Sequence, residues 1–246
     1  MRFLIIIICL LSERYLTHKF FKFRKNWPLV YDNYIDKLVP ANIINATPYL
    51  RFIVYLGSLS LCCLIFHLLG HRGLGLILNF IFAFTVFYFC LGEHNLFYLN
   101  TNEKKILTDN ELIVTMNREF YAIIFWFYLL GPIGAILYKT TNYFTFKDCA
   151  SESMIKLQAF LDWMTVRISA VLFLLVGHFK PGYFELLKKL NQNPLHNNEL
   201  LITVARDALG VDDHEPIETM QLQNLFNHSC LLLIFLLAIF VIGTII

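Results

Sequence analysis

The sequence predicts an all-α, polytopic helical membrane protein of four to six membrane segments, and three observations carry that expectation. Hydrophobic residues make up 57% of the chain and charged residues only 15%, with a mean hydropathy of +0.59. A soluble domain of 246 residues would need more charge to cover its surface. Several apolar runs approach the roughly 20 residues that a helix needs to cross a bilayer core. Lys and Arg gather in alternate segments between those runs, as the positive-inside rule requires. The net charge is only +2, and the basic residues sit beside apolar runs instead of forming a separate arm. No nucleic-acid partner is therefore expected, and the lipid bilayer is the expected environment.

Residues 1–246 read as one membrane domain. Phe3 to Leu11 has the length of a signal-peptide core, but Ser12-Glu13-Arg14-Tyr15 offers no small-residue cleavage site, so the run is expected to be retained. Residues 14–48 form a basic segment with Trp27, Tyr31 and Tyr34 interleaved, a composition suited to the cytoplasmic headgroup region. Tyr49 to Leu69 and Leu74 to Leu91 are the two clearest spans, joined by the polar turn Gly70-His71-Arg72-Gly73. Residues 93–119 carry charges of both signs among spaced leucines and isoleucines, so one or two solvated amphipathic helices are expected on the cytoplasmic side. Asn117 to Asn142 is an apolar stretch with polar ends, interrupted by Gly131-Pro132 and Gly134. Leu161 to Val176 is apolar apart from Asp162 and Arg167. Residues 179–226 form the longest polar loop, with Pro181-Gly182 and Asn191 to Asn198 as breaks, and His228 to Ile246 is a last span.

The Gly131-Pro132 step removes a backbone donor, so the helix there must kink or break. If the stretch still crosses fully, the Lys and Arg count is fourteen inside against five outside; if it turns back as a re-entrant hairpin, it is thirteen against six. Both obey the rule. Broken backbone in lipid is tolerated only where protein or water covers it.

The six cysteines contain no C-x-x-C pair, and five lie in apolar runs, where they read as small packing residues. His67 and His71 have metal-ligand spacing without a third ligand, and Asp212-Asp213-His214-Glu215 lies in a polar loop, so no metal site is expected. At about 100° per residue, Asn117, Tyr121, Ile124 and Tyr128 share a helix face, either lining a cavity or anchoring at the interface. Arg167 inside an apolar run costs about 2.5–3.5 kcal/mol unless paired. Trp163, one turn away, is placed for a cation–π contact. Asp162 is badly spaced for pairing within the helix, which leaves Glu119 or Asn142 as acceptors.

The residues Asn117-Arg118-Glu119-Phe120-Tyr121, Phe125-Trp126, Gly131 to Gly134 and, above all, Leu161-Asp162-Trp163 with Val166-Arg167 and Gly177-His178 resemble the AmpE family of bacterial inner-membrane proteins. The resemblance spans essentially the whole chain. It implies a multi-pass protein of the bacterial inner membrane, linked to β-lactamase induction and acting beside the amidase that recycles muropeptides. The AmpE family is similar in turn to the cobalamin-biosynthesis CobD/CbiB proteins, which form an amide at the membrane using ATP. Against their motifs this chain keeps Asn117, Tyr138, Asn142, Trp163 and Arg167, but it lacks the acidic residue before Asn117 and the Asp-Gly after it. The carboxylates that would act there as base or metal ligand are thereby lost. A regulatory or sensory protein is expected, with an ATP-dependent amide ligase and a structural scaffold as the other classes. The expected ligand-binding residues are Asn117, Glu119, Tyr128, Tyr138, Asn142, Asp162, Trp163, Arg167 and His178, around an anionic cell-wall fragment or nucleotide.

Overall fold

The computed structural model describes residues 1–15, 21–38, 48–69, 74–92, 107–146, 152–190, 192–212 and 215–244. These residues form α-helices and no strand, as expected. The helices are α1 (Arg2–Tyr15), α2 (Phe21–Leu38), α3 (Pro48–Leu69), α4 (Leu74–Cys90), α5 (Asp109–Leu130), α6 (Pro132–Thr145), α7 (Glu152–Val176), α8 (Phe179–Lys189), α9 (Asn197–Leu209) and α10 (Thr219–Gly243), with a 3₁₀ turn at Pro194–His196. Among the described residues, α5, α7 and α10 are long and apolar enough to cross a membrane, and α3 and α4 contain the shorter apolar stretches Leu50–Phe66 and Gly75–Cys90. The turn at Gly70–Gly73, the first part of the amphipathic segment (93–106) and Cys149 lie outside the described residues.

Two compact units are present. The first contains residues 1–93 and 123–158, and the second residues 94–122 and 159–246. In the first, α6 packs on α3 and α4, and α1 packs on α4. Its core joins Ile35, Phe52, Tyr55, Phe144 and Met154, with Tyr31 and Phe144 edge-on to Tyr55 at 4.8 and 5.4 Å between ring centroids. In the second, α8 packs on α9, which also contacts the start of α5 and α10. Large apolar side chains stay exposed on α3, α4 and α10, including Ile53, Leu61, Ile77, Phe235 and Phe240, a pattern compatible with lipid contact.

The break expected at Gly131-Pro132 is present. Helix α5 stops at Leu130, Gly131 takes φ 74°, and Pro132 opens α6. Proline suits a first helical position because the N–H it lacks would have no intrahelical partner there. The carbonyls freed at the end of α5 are covered by the chain's own arginine: Arg2 Nη1 donates to Tyr128 O at 3.0 Å and to Leu129 O at 2.6 Å. A cation at a helix C-terminus also offsets the negative end of the dipole. Eight residues of straight helix span about 12 Å, yet a Cβ on Gly134 would collide with the Trp126 carbonyl oxygen. The chain therefore turns sharply here, and 120–143 is two helices instead of one rod.

The amphipathic reading of the segment ending at Glu119 changes in one respect. Its described part, from Asp109, is continuous with the apolar helix beyond it, and Leu112, Ile113, Met116 and Asn117 are buried. A capping box starts it: Glu111 N donates to Thr108 Oγ1 at 3.3 Å, while Thr108 N donates to Glu111 Oε2 at 2.8 Å. Pro181-Gly182, read as a break, instead lies inside the first turn of α8, where proline is tolerated.

These contacts predict opposite outcomes for two glycines. Gly134→Ala forces a Cβ into the Trp126 carbonyl and should lower the thermal unfolding midpoint of the detergent-solubilised protein. Gly57→Ala, with nothing within 4 Å, should leave it unchanged or raise stability by up to about 1 kcal/mol.

Candidate functional site

Tyr128, Tyr138 and Asn142 belong to the first unit, and Asn117, Glu119, Asp162, Trp163, Arg167 and His178 to the second. In the first unit Tyr138 is fully buried, Tyr128 is half-buried, and Asn142 Oδ1 is buried with no hydrogen-bond partner among the described residues.

In the second unit the five residues Asn117–Tyr121 form a π turn within α5, with Ala122 N donating to Asn117 O. Such wide turns accommodate one extra residue and break the α period. The single stripe expected from Asn117 to Tyr128 therefore does not run through. Asn117 is buried and accepts from Ser169 Oγ at 2.7 Å. Tyr121 OH donates to Phe226 O at 3.0 Å and lies 2.6 Å from Ser229 Oγ, tying α5 to α10. An amide and a phenol buried among apolar side chains need such partners, because an unpaired polar group there costs about 1–3 kcal/mol.

Asp162, badly spaced for Arg167 on its own helix, faces a cation on α5. It is 2% exposed and lies 3.4 Å from Arg118 Nε, while Arg118 Nη2 donates to Asn198 Oδ1 at 3.3 Å. Arg167 does stack on Trp163, its guanidinium carbon 4.2 Å from the ring centroid. Its acceptors differ from the nominated Glu119 and Asn142. Nε and Nη2 both reach Leu190 O, at 3.0 and 2.8 Å, and Nη1 reaches Trp163 O at 2.8 Å and Asn197 Oδ1 at 3.1 Å. Leu190 is the C-cap of α8 and Asn197 the first residue of α9, so one side chain fastens both to α7. A planar guanidinium suits this, since two of its nitrogens can address one carbonyl while others reach elsewhere. Asn197 completes the joint by donating from Nδ2 to Ala159 O at 2.8 Å.

Two further clusters went unrecognised in the sequence. Arg206, 4% exposed, donates to Asn110 Oδ1 at 3.1 Å, to Asp212 O at 2.9 Å and to Glu215 O, closing the loop before α10. In the first unit Asp32, within the basic segment assigned to the headgroup region, is 2% exposed, and it accepts from Arg51 Nε at 2.8 Å and Tyr143 OH at 3.0 Å. Trp27 Nε1 nearby donates to Phe89 O at 2.8 Å. The only local signal was an aspartate flanked by aromatic residues.

His178 is the nominated residue that opens onto a cavity. A pocket of about 400 Å³ is lined by His178, Ala208, Gln221, Asn224, Leu225 and His228, among others. Its walls are set by backbone contact. His178 N donates to Ala208 O at 2.7 Å, a Cβ on Gly177 would strike that same carbonyl, and Gly210 adopts φ 69° with the His178 ring beside it. Two imidazoles and two carboxamides give the pocket hydrogen-bond donors and acceptors without a carboxylate. Among the described residues no group of three His, Cys, Asp or Glu side chains could hold a metal ion. His71 and the His67 side chain, and Asp213 and His214, lie outside the described residues. Among the described residues, Cys9, Cys63, Cys90 and Cys230 are buried and form no disulfide, and Cys62 is exposed.

The Arg118–Asp162 pair predicts a non-additive double-mutant cycle. Arg118→Ala removes the cation beside a buried carboxylate and should destabilise by about 3 kcal/mol, whereas adding Asp162→Asn should restore much of the loss. Denaturant unfolding in detergent micelles measures both; equal and additive losses would show no coupling. Comparison of the chain with family models, curated proteins and solved structures returns no match.

Proposed function

We propose that the chain is an AmpE-like integral membrane regulatory or sensory protein of the bacterial inner membrane, coupling cell-wall recycling to β-lactamase induction. One observation supports the reading most: within the second unit, the polar residues that carry the resemblance are each engaged by a partner on another helix or beside them on their own. Asn117 bonds Ser169, Arg118 pairs with Asp162, Arg167 stacks on Trp163 and holds Leu190 and Asn197, and Gly177-His178 abuts Ala208. Polar side chains in apolar helices are costly, so a set that satisfies one another marks a framework required by function or assembly.

In this reading the ligand is a cell-wall fragment that reaches the His178–His228 pocket, where its amides and carboxylates meet imidazoles and carboxamides. Arg167 and Asp162 hold the helices of the second unit together, and Trp163 orients Arg167 by stacking on it.

The test is complementation in a bacterium with inducible β-lactamase that lacks its own AmpE. The intact chain should restore β-lactam-dependent induction, and His178→Ala with His228→Ala should reduce it severalfold at unchanged protein level in the membrane. Induction indifferent to the presence of the chain sinks the regulatory reading. ATP hydrolysis stimulated by a carboxylate substrate would move the protein to the CobD/CbiB-like ligase class.

A further inference from the structure

Helix α8 carries more apolar surface than the protein covers. Its inner face is narrow: Gly182 and Leu186 are buried, and a Cβ on Gly182 would press on Leu174 and lie 3.2 Å from Asp207 Cβ. At about 100° per residue, Phe179, Tyr183, Phe184 and Leu187 fall within one arc beside that face. They are 46%, 39%, 63% and 47% exposed, with the Phe179 and Tyr183 rings stacked at 5.1 Å and Phe184 edge-on to Tyr183 at 6.0 Å. An ordered aromatic stripe turned to solvent is unusual on a soluble surface.

Two features say what covers it. The first is continuity with a crossing-length helix. Phe160, Met164, Val171 and Leu175 form an exposed apolar stripe along α7, and only Gly177 and His178 separate its end from the start of α8. A helix that starts where a span stops is at the depth of the headgroups. The second is charge: α8 holds Lys180, Lys188 and Lys189 against one acid, Glu185, and Lys189 turns to Glu199 of α9 at 3.5 Å, which leaves Lys180 and Lys188 exposed on the helix. Glu185 is paired with Lys188 at 2.7 Å, and that hydrogen bond holds its carboxyl below the usual carboxylate range. Lysines beside an aromatic face can extend toward phosphates while their methylene stems stay in the apolar layer.

We propose that α8 is an in-plane membrane-surface helix, whose Phe179–Tyr183–Phe184–Leu187 face lies at the boundary between headgroups and acyl chains of an anionic bilayer while Lys180 and Lys188 meet lipid phosphates. Helices with an aromatic apolar face and basic flanks bind this way, about 5–10 Å deep. The proposal rests on the reading of α7 and α10 as membrane spans, and it assigns to the surface a segment that the sequence presents as a polar loop.

The experiment uses the full chain reconstituted into phosphatidylcholine vesicles with and without phosphatidylglycerol. A fluorescent amino acid replaces Phe184, or separately Phe235 on α10 or Glu199 on α9. Lipids brominated near the top or near the end of the acyl chain quench from within the bilayer, and iodide quenches from water. The probe at Phe184 should be quenched more strongly by shallow bromine than by deep bromine or iodide, the Phe235 probe by bromolipid, and the Glu199 probe by iodide. With Lys180→Gln and Lys188→Gln together, shallow quenching in phosphatidylglycerol vesicles should fall by about half or more.

If Phe184 is quenched by iodide alone, or by neither agent, while Phe235 responds to bromolipid, the surface helix is overturned and the spans stand. Failure of bromolipid at both positions overturns the membrane reading as well. Quenching indifferent to the lysine changes overturns the anionic-headgroup component.

Discussion

The second unit depends on the hold of one guanidinium on one carbonyl. Leu190 O ends α8, and without Arg167 that carbonyl and Asn197 Oδ1 would both lose a donor at the joint where α8 turns into α9. Arg167 would itself be a charge in an apolar helix, at a cost of about 2.5–3.5 kcal/mol on insertion scales. Each defect offsets the other. The result is a rigid seam along α7 on which the Gly177–Ala208 contact, and hence the wall of the His178 pocket, is built.

The same logic recurs in the first unit. Arg2 covers the carbonyls exposed where α5 breaks at Gly131, and Arg51 with Tyr143 neutralises the buried Asp32. Arg2, Arg51 and Arg167 thus sit against backbone carbonyls or a buried carboxylate. Such sites are costly to leave open in an apolar environment. The large apolar side chains left exposed on α3, α4 and α10 fit the same division, with lipid-compatible surface outside and polar seams inside.

What could be read from the sequence follows from range. The Arg167–Trp163 stack was legible because four residues of helix fix the geometry, and the break at Gly131-Pro132 because proline chemistry is local. The Arg118–Asp162 and Asp32–Arg51 pairs were not legible, because helix periodicity says nothing about which helices adjoin. The π turn at Asn117–Tyr121 has no local signature, and it displaced the cavity stripe drawn on an ideal helix. In α8 the Pro181-Gly182 pair masked a helix, since the rule that proline ends helices does not hold in a first turn. Of the nine residues nominated for binding, His178 lines a pocket, whereas Asp162 and Arg167 join helices together and Trp163 stacks on Arg167.

The central claim is that Arg167 is a fastener and acts through the joint it holds. Hydrogen–deuterium exchange on the intact protein in lipid nanodiscs, comparing wild type with Arg167→Gln, tests it most directly. The account predicts faster exchange across residues 186–200, with the amides of α7 still protected, because the seam opens while the span persists. Unchanged exchange at 186–200 would contradict it.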